Sequence, residues 1–179
     1  MKIYIKQNKI RFLFIMIILS VFFIWNNSYS QDHHYQMNDS SLQHRQHMIH
    51  SESPEVMPFD MNKVTHYFIK TDSGGLLMLK TKDTRDTTQA NLIISHLEKE
   101  YKLFSNADFS DPKTLHGAHM PGLDILSGSK GKFKVEFKKL PDGAQLIFTS
   151  KDSLVQNAIH KWFDAQLRDH GKDAKSRLD

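Results

Sequence analysis

The chain has no cysteine among its 179 residues. Disulfides, thiolate nucleophiles and cysteine-held metal sites are therefore excluded, and a fold standing in an oxidising compartment must rest on a buried apolar core. Also missing are a Gly-x-Ser-x-Gly nucleophile elbow and a glycine-rich phosphate loop closed by Lys-Ser/Thr. Those absences remove the familiar serine-hydrolase and nucleotide-binding readings. Nor does the conspicuous apolar run reach across a bilayer: Phe12 to Trp25 is 14 positions, Ser20 included, where a spanning helix needs about 20.

What surrounds that run gives it another meaning. Lys2, Lys6, Lys9 and Arg11 precede it with no acid among them, and Asn26-Asn27-Ser28-Tyr29-Ser30 follows it. A basic start, a short apolar centre and a small polar end make a cleavable secretory signal over residues 1–30. The expectation is handling by the secretion machinery and delivery to the periplasm or the exterior. The formal charge of +4 belongs to this segment, whose removal leaves 20 basic against 20 acidic residues. A neutral product has no electrostatic case for nucleic acid.

Residues 31–58 are polar and rich in His, Met, Ser and Gln, without a sustained period of 2 or 3.6. Such a segment buries too little apolar surface to offset its ordering entropy and reads as a flexible leader. Residues 172–179 read as a charged, frayed tail. Between them, residues 59–171 are patterned as one domain. Val64 to Lys70 and Leu76 to Thr81 flank Asp72-Ser73-Gly74-Gly75 as a hairpin, and Phe133 to Leu140 and Ala144 to Thr149 flank Pro141-Asp142-Gly143 as another. Each hairpin precedes a helix. The first has Asp86 and Gln89 at its start and an apolar stripe through Ala90, Ile93, Ile94, Leu97, Tyr101 and Phe104. The second opens with a Ser153/Gln156 capping box, carries Val155, Ala158, Ile159, Trp162, Phe163 and Gln166, and stops at Gly171. Neither unit can hide its apolar faces alone. The predicted fold is α+β: a four-stranded antiparallel sheet built from two hairpin-helix units, with both helices on one face. Residues 107–130 form the connector between the halves.

All eleven histidines follow the signal. Imidazole suits copper and zinc, and thioether sulfur suits Cu(I), so His with Met37, Met48, Met57 and Met61 leans toward copper. Cleavage after Ser30 would place His33 third in the new chain, where an α-amine, two amide nitrogens and an imidazole can wrap Cu(II). In the connector, His116-Gly117-Ala118-His119-Met120-Pro121-Gly122 is a tight turn able to aim two imidazoles and a thioether at one point. His96 with Glu100 and His160 with Asp164 are i, i+4 pairs, one on each helix, where a carboxylate can orient an imidazole. Such spacing is more often that of an ordinary surface ion pair. His66 lies on the first strand, facing either the helices or water according to register. His170, in the last helical turn, suits the helix dipole without further role.

The stretch from Phe59 to Asp173 resembles a group of small exported bacterial proteins. The resemblance rests on Thr65-His66, on Asp108-Phe109-Ser110-Asp111-Pro112, on the His-Gly-x-x-Met-Pro-Gly turn, and on the ending Ala158-Ile159-His160-Lys161-Trp162-Phe163-Asp164-Ala165-Gln166 with Asp169-His170-Gly171. It implies that His66, His116, Met120, His160 and His170 are recurring motif positions. Some members carry the label aspartate carbamoyltransferase. A carbamoyltransferase has two α/β domains and a Ser-Thr-Arg-Thr-Arg phosphate loop, and neither fits here.

Three functions are compatible with these residues. The first is an exported metal-binding protein handling copper or zinc, with its folded site drawn from His96, His116, His119, Met120 and His160 and a His/Met leader as capture arm. The second is a small exported hydrolase or transferase using His160 or His96 as general acid/base. The third is an interaction module without an active site.

Overall fold

A computed structural model of the chain describes residues 38–178, and the expected signal peptide and His33 lie outside them. Four strands follow the predicted hairpins: β1 (Val64–Thr71), β2 (Gly74–Thr81), β3 (Phe133–Leu140) and β4 (Gly143–Ser150). The helices are α1 (Asp39–Glu52), α2 (Thr87–Phe104), α3 (Ser110–His116), α4 (Leu123–Ser127) and α5 (Ser153–His170). A fifth strand, β5 (Ala174–Lys175), closes the described chain.

The sheet runs β3-β4-β2-β1-β5, antiparallel except that β5 lies parallel to β1. The class is α+β as expected, with a mixed sheet of five strands in place of four antiparallel ones. The added strand comes from the segment read as a frayed tail. Two residues, paired His66 to Ala174 and Tyr67 to Lys175, are too few to show an alternating pattern.

Register decides which residues face the helices. Val64, His66 and Phe68 stand beside Leu79 and Leu77, which stand beside Ala144 and Leu146, so one face of the sheet carries the core. α2 and α5 both cover this face and meet over Phe148, whose ring lies 5.8 Å from Phe104 and 5.5 Å from Trp162. Gly75 is required beneath α5, because a Cβ there would sit 2.4 Å from the Phe163 ring. His66 therefore points inward, which settles the register left open by the sequence.

The helix starts follow their caps. Asp86 accepts from Gln89 N at 3.1 Å, as the sequence predicts. At α5 the cap is Asp152, accepting from Leu154 N, one residue before the predicted Ser153, while Gln156 Nε2 reaches Ser150 O. In the connector, α3 and α4 occupy much of the length.

The leader departs most from expectation. Residues 39–52 are helical, begun by Asn38 accepting from Ser41 N at 2.8 Å. Ile49 is the buried residue of this helix, so tertiary polar contacts hold it: Arg45 forks onto Asp169, and Gln46 Nε2 donates to Arg168 O at 2.7 Å. Among the described residues no helix is long and apolar enough to cross a membrane.

Candidate functional site

Beneath the inner sheet face lies a cavity of about 50 Å³. β1 supplies His66, α2 supplies His96 and Glu100, α3 supplies Asp111 and His116, and α5 supplies Trp162, Gln166 and His170, with Met57 closing one side. Four histidines and two acids from four elements thus share one small space. Its volume suits a single ion or one or two waters with polar partners.

Three of the histidines form a continuous group. The His66 and His170 rings stack at 4.6 Å with 14° between their planes, and His116 meets His170 edge-on at 5.1 Å. His96 stands across the Phe59 ring, 5.5 Å from its centre, and Phe59 in turn lies 5.8 Å from His66. Among the described residues no three His, Asp or Glu side chains already converge in a geometry that holds a metal ion. Near-parallel stacked rings set their nitrogens side by side rather than toward a common point.

Buried polar atoms without a hydrogen-bond partner concentrate here. They include both nitrogens of His66, Nδ1 of His170, Nε1 of Trp162 and Oε1 of Gln166, all on residues that line the cavity. Each costs about 1–3 kcal/mol when left unmade, and a whole fold has only about 5–15 kcal/mol in hand. Such a concentration is characteristic of a site shaped for a bound species rather than for stability.

The electrostatics fall into two ends. At one, burial and then the His96 imidazole push His66 down to about 3, against a partial opposing pull from Asp173. Burial, then His66 and His116, hold His170 well below its ordinary value. Burial likewise lowers His96 to about 4, although Asp111 opposes it. These three imidazoles are neutral at pH 7 and keep a lone pair on one nitrogen. His116 Nδ1 donates to Asp169 Oδ2 at 2.9 Å. Arg45 donates through Nε and Nη2 to the same carboxylate at 2.7 and 2.6 Å, and through Nη2 to His116 O at 2.9 Å. Burial would raise Asp169, but the hydrogen bonds from His116 and Arg45 outweigh it and keep the group ionised. A carboxylate that accepts the hydrogen bond from Nδ1–H fixes the ring's orientation and leaves Nε2 for a ligand.

At the other end, burial raises Glu100 to about 8, reinforced by the hydrogen bond it shares with Asp111. Asp111 moves the opposite way: burial would raise it, but Glu100 and Lys99, the latter at 2.5 Å, outweigh that effect. Glu100 is thus a neutral acid beside an ionised one, a donor-acceptor carboxyl pair.

The positions singled out in the sequence divide accordingly. His66, His96, His116 and His170 come together around the cavity. His160 does not: its Nε2 donates to Thr71 O at 3.0 Å and Gly74 O at 2.9 Å, tying α5 to the first hairpin turn. Its supposed partner Asp164 accepts instead from Lys70 at 2.7 Å. His119 is exposed on the connector turn. Met120 is buried in the core, where its sulfur accepts from Gln166 Nε2 at 3.9 Å. The expected site of His96, His116, His119, Met120 and His160 is therefore not assembled as a set, because the turn aims one histidine out and α5 commits another to backbone carbonyls.

Asp169, Arg45 and Gln166 carry weight that the sequence reading did not assign. Asp169 had a signal, since it continues the buried stripe Val155, Ile159, Trp162, Gln166 at helical spacing. An acid on an apolar stripe needs a partner. Arg45 had none. No protein-family model matches the chain, and neither a curated protein nor a solved structure shows recognisable similarity to it.

Proposed function

We propose that this is an exported metal-binding protein that handles copper, its inner site formed by His66, His96, His116 and His170. The observation that carries the reading is the group of four imidazoles around a cavity of ionic size, with both nitrogens of His66 and Nδ1 of His170 unpartnered. Metals bind imidazole only in its neutral form, so burial has prepared His66, His96 and His170 at pH 7. The carboxylate behind His116 is the usual orienting partner of a metal-bound histidine. Met57 adds a thioether, which favours Cu(I) over zinc. Coordination requires the stacked His66 and His170 rings to turn, so metal uptake is coupled to a local rearrangement. The segment 1–30, as a secretory signal, would deliver the protein to the periplasm or exterior, and the small exported proteins it resembles would share the site.

Metal content and affinity of the mature chain test the reading. Cu(I) competition with a chromophoric chelator should show stoichiometric binding, lost or weakened about 10–100-fold in His66→Ala and His170→Ala and retained in His119→Ala and His160→Ala. Equal binding in all four variants overturns it.

The Glu100–Asp111 pair supports a second reading, a small enzyme in which Glu100 acts as general acid. In that case Glu100→Gln abolishes turnover while leaving metal stoichiometry untouched.

A further inference from the structure

The inner cavity has a neighbour. Between α1 and the carboxyl end of α5 lies a basin of about 370 Å³, and one residue, His170, belongs to the walls of both. His47 and His50 face this basin from α1, three residues apart and so on one side of the helix. Met61, in the turn that precedes β1, adds a buried thioether to the lining.

The carboxylates nearby are already committed. Asp169 is held by Arg45 and His116, and Asp173 accepts from Lys82 at 2.9 Å. Lys172 also lines the basin and repels cations. What remains to offer a ligand is imidazole, thioether and the side-chain amides of Gln46 and Asn62, and with no free carboxylate the set disfavours calcium or magnesium while its imidazoles and sulfur suit borderline-to-soft transition-metal ions. His170 is 6 % exposed, and its Nδ1 has no partner.

Helix α1 supplies the reason for the arrangement. It buries Ile49 and little else, and it is fastened by the Arg45 fork at a residue in contact with the inner histidine group. Apolar packing does not explain its place. The Arg45 and Gln46 contacts do, and they bring His47 and His50 to the basin that His170 also lines.

We propose that the basin is a second, outer metal site, in which His47, His50 and Met61 turn onto the ion, no three His or acid side chains among the described residues being already convergent, and His170 is the shared ligand that hands the ion inward. The transfer is ligand exchange: bonds from the ion to His47 or His50 break as bonds to the inner imidazoles form, with no change of oxidation state. This inference rests on the metal-binding reading of the inner cavity and adds a route to it.

The test uses the mature full chain and Cu(I) supplied as a chromophoric chelator complex, followed by stopped flow. In His47→Ala/His50→Ala the loading rate should fall by about tenfold or more, while the affinity of the inner site stays at the wild-type value. His44→Ala, an exposed histidine on the same helix outside the basin, should load normally. Wild-type rates in the double variant, or equal slowing in His44→Ala, overturn the outer site and leave the inner one standing. A wild-type chain that takes up no Cu(I) overturns the inner site itself.

Discussion

Replacing Asp169 with Asn strands two donors at once, since Arg45 and the His116 ring both address its carboxylate. The acid is fully buried while the Arg45 side chain is 31 % exposed, so solvent recovers part of what the arginine loses. A completely buried pair broken on one side costs about 3–5 kcal/mol; with one partner at the surface the expectation is about 2 kcal/mol or more. Urea unfolding of Asp169→Asn should show that loss. The variant also removes the charge that sets the His116 tautomer, so on the proposed metal-binding reading Cu(I) affinity should fall by about 10–100-fold. A variant with wild-type unfolding and wild-type affinity contradicts both the clasp and its orienting role. The two acids that matter most here, Asp169 and Glu100, stand on buried helix stripes, that of Glu100 otherwise apolar and that of Asp169 apolar apart from Gln166. That signal was present in the sequence, but pairing Glu100 with His96 by i, i+4 spacing drew it outward. In the fold Glu100 faces Asp111, and Asp111 arrives on a helix that spacing alone does not position.

The elements divide by how they are stabilised. β1 to β4, α2 and α5 bury apolar stripes, and those stripes made them readable. α1 and β5 do not: one lacks an apolar stripe, the other spans two residues, and both form only because something already folded receives them. For α1 the receiver is Asp169, 124 positions away along the chain, a contact that no local pattern encodes. This predicts a split in local stability. Arg45→Ala should speed amide hydrogen exchange across residues 39–52 toward the unfolded rate while leaving the amides of β2 and β4 protected, because the sheet core does not depend on α1. Uniform loss of protection through the sheet would show instead that α1 belongs to the cooperative core.

Across the whole molecule, the unusual feature is that neutral histidines and a neutral acid are buried together, and they oppose each other in pH dependence. His66 at about 3, His96 at about 4 and a strongly lowered His170 cannot take protons that the unfolded chain accepts below its ordinary value of 6.5. Stability is therefore lost as pH falls from 6.5 toward those folded values. Glu100 has the reverse sign: folded, it keeps its proton up to about 8, while unfolded it releases it near 4.5, so stability declines as pH rises between the two. Below 6.5 three imidazoles outweigh one carboxyl. Above 6.5 Glu100 acts alone, with a slope of at most roughly 1.4 kcal/mol per pH unit. The metal-free protein should thus be most stable near pH 6.5 and weaken toward pH 8, and Glu100→Gln should abolish the alkaline decline while keeping the acid one. Thermal unfolding in the presence of a chelator, measured from pH 4 to pH 9, reads both limbs. A wild-type curve still rising at pH 8, or an unchanged decline in Glu100→Gln, would mean that Glu100 is ionised in the fold, and the donor-acceptor carboxyl pair at the cavity's second end would have to be abandoned.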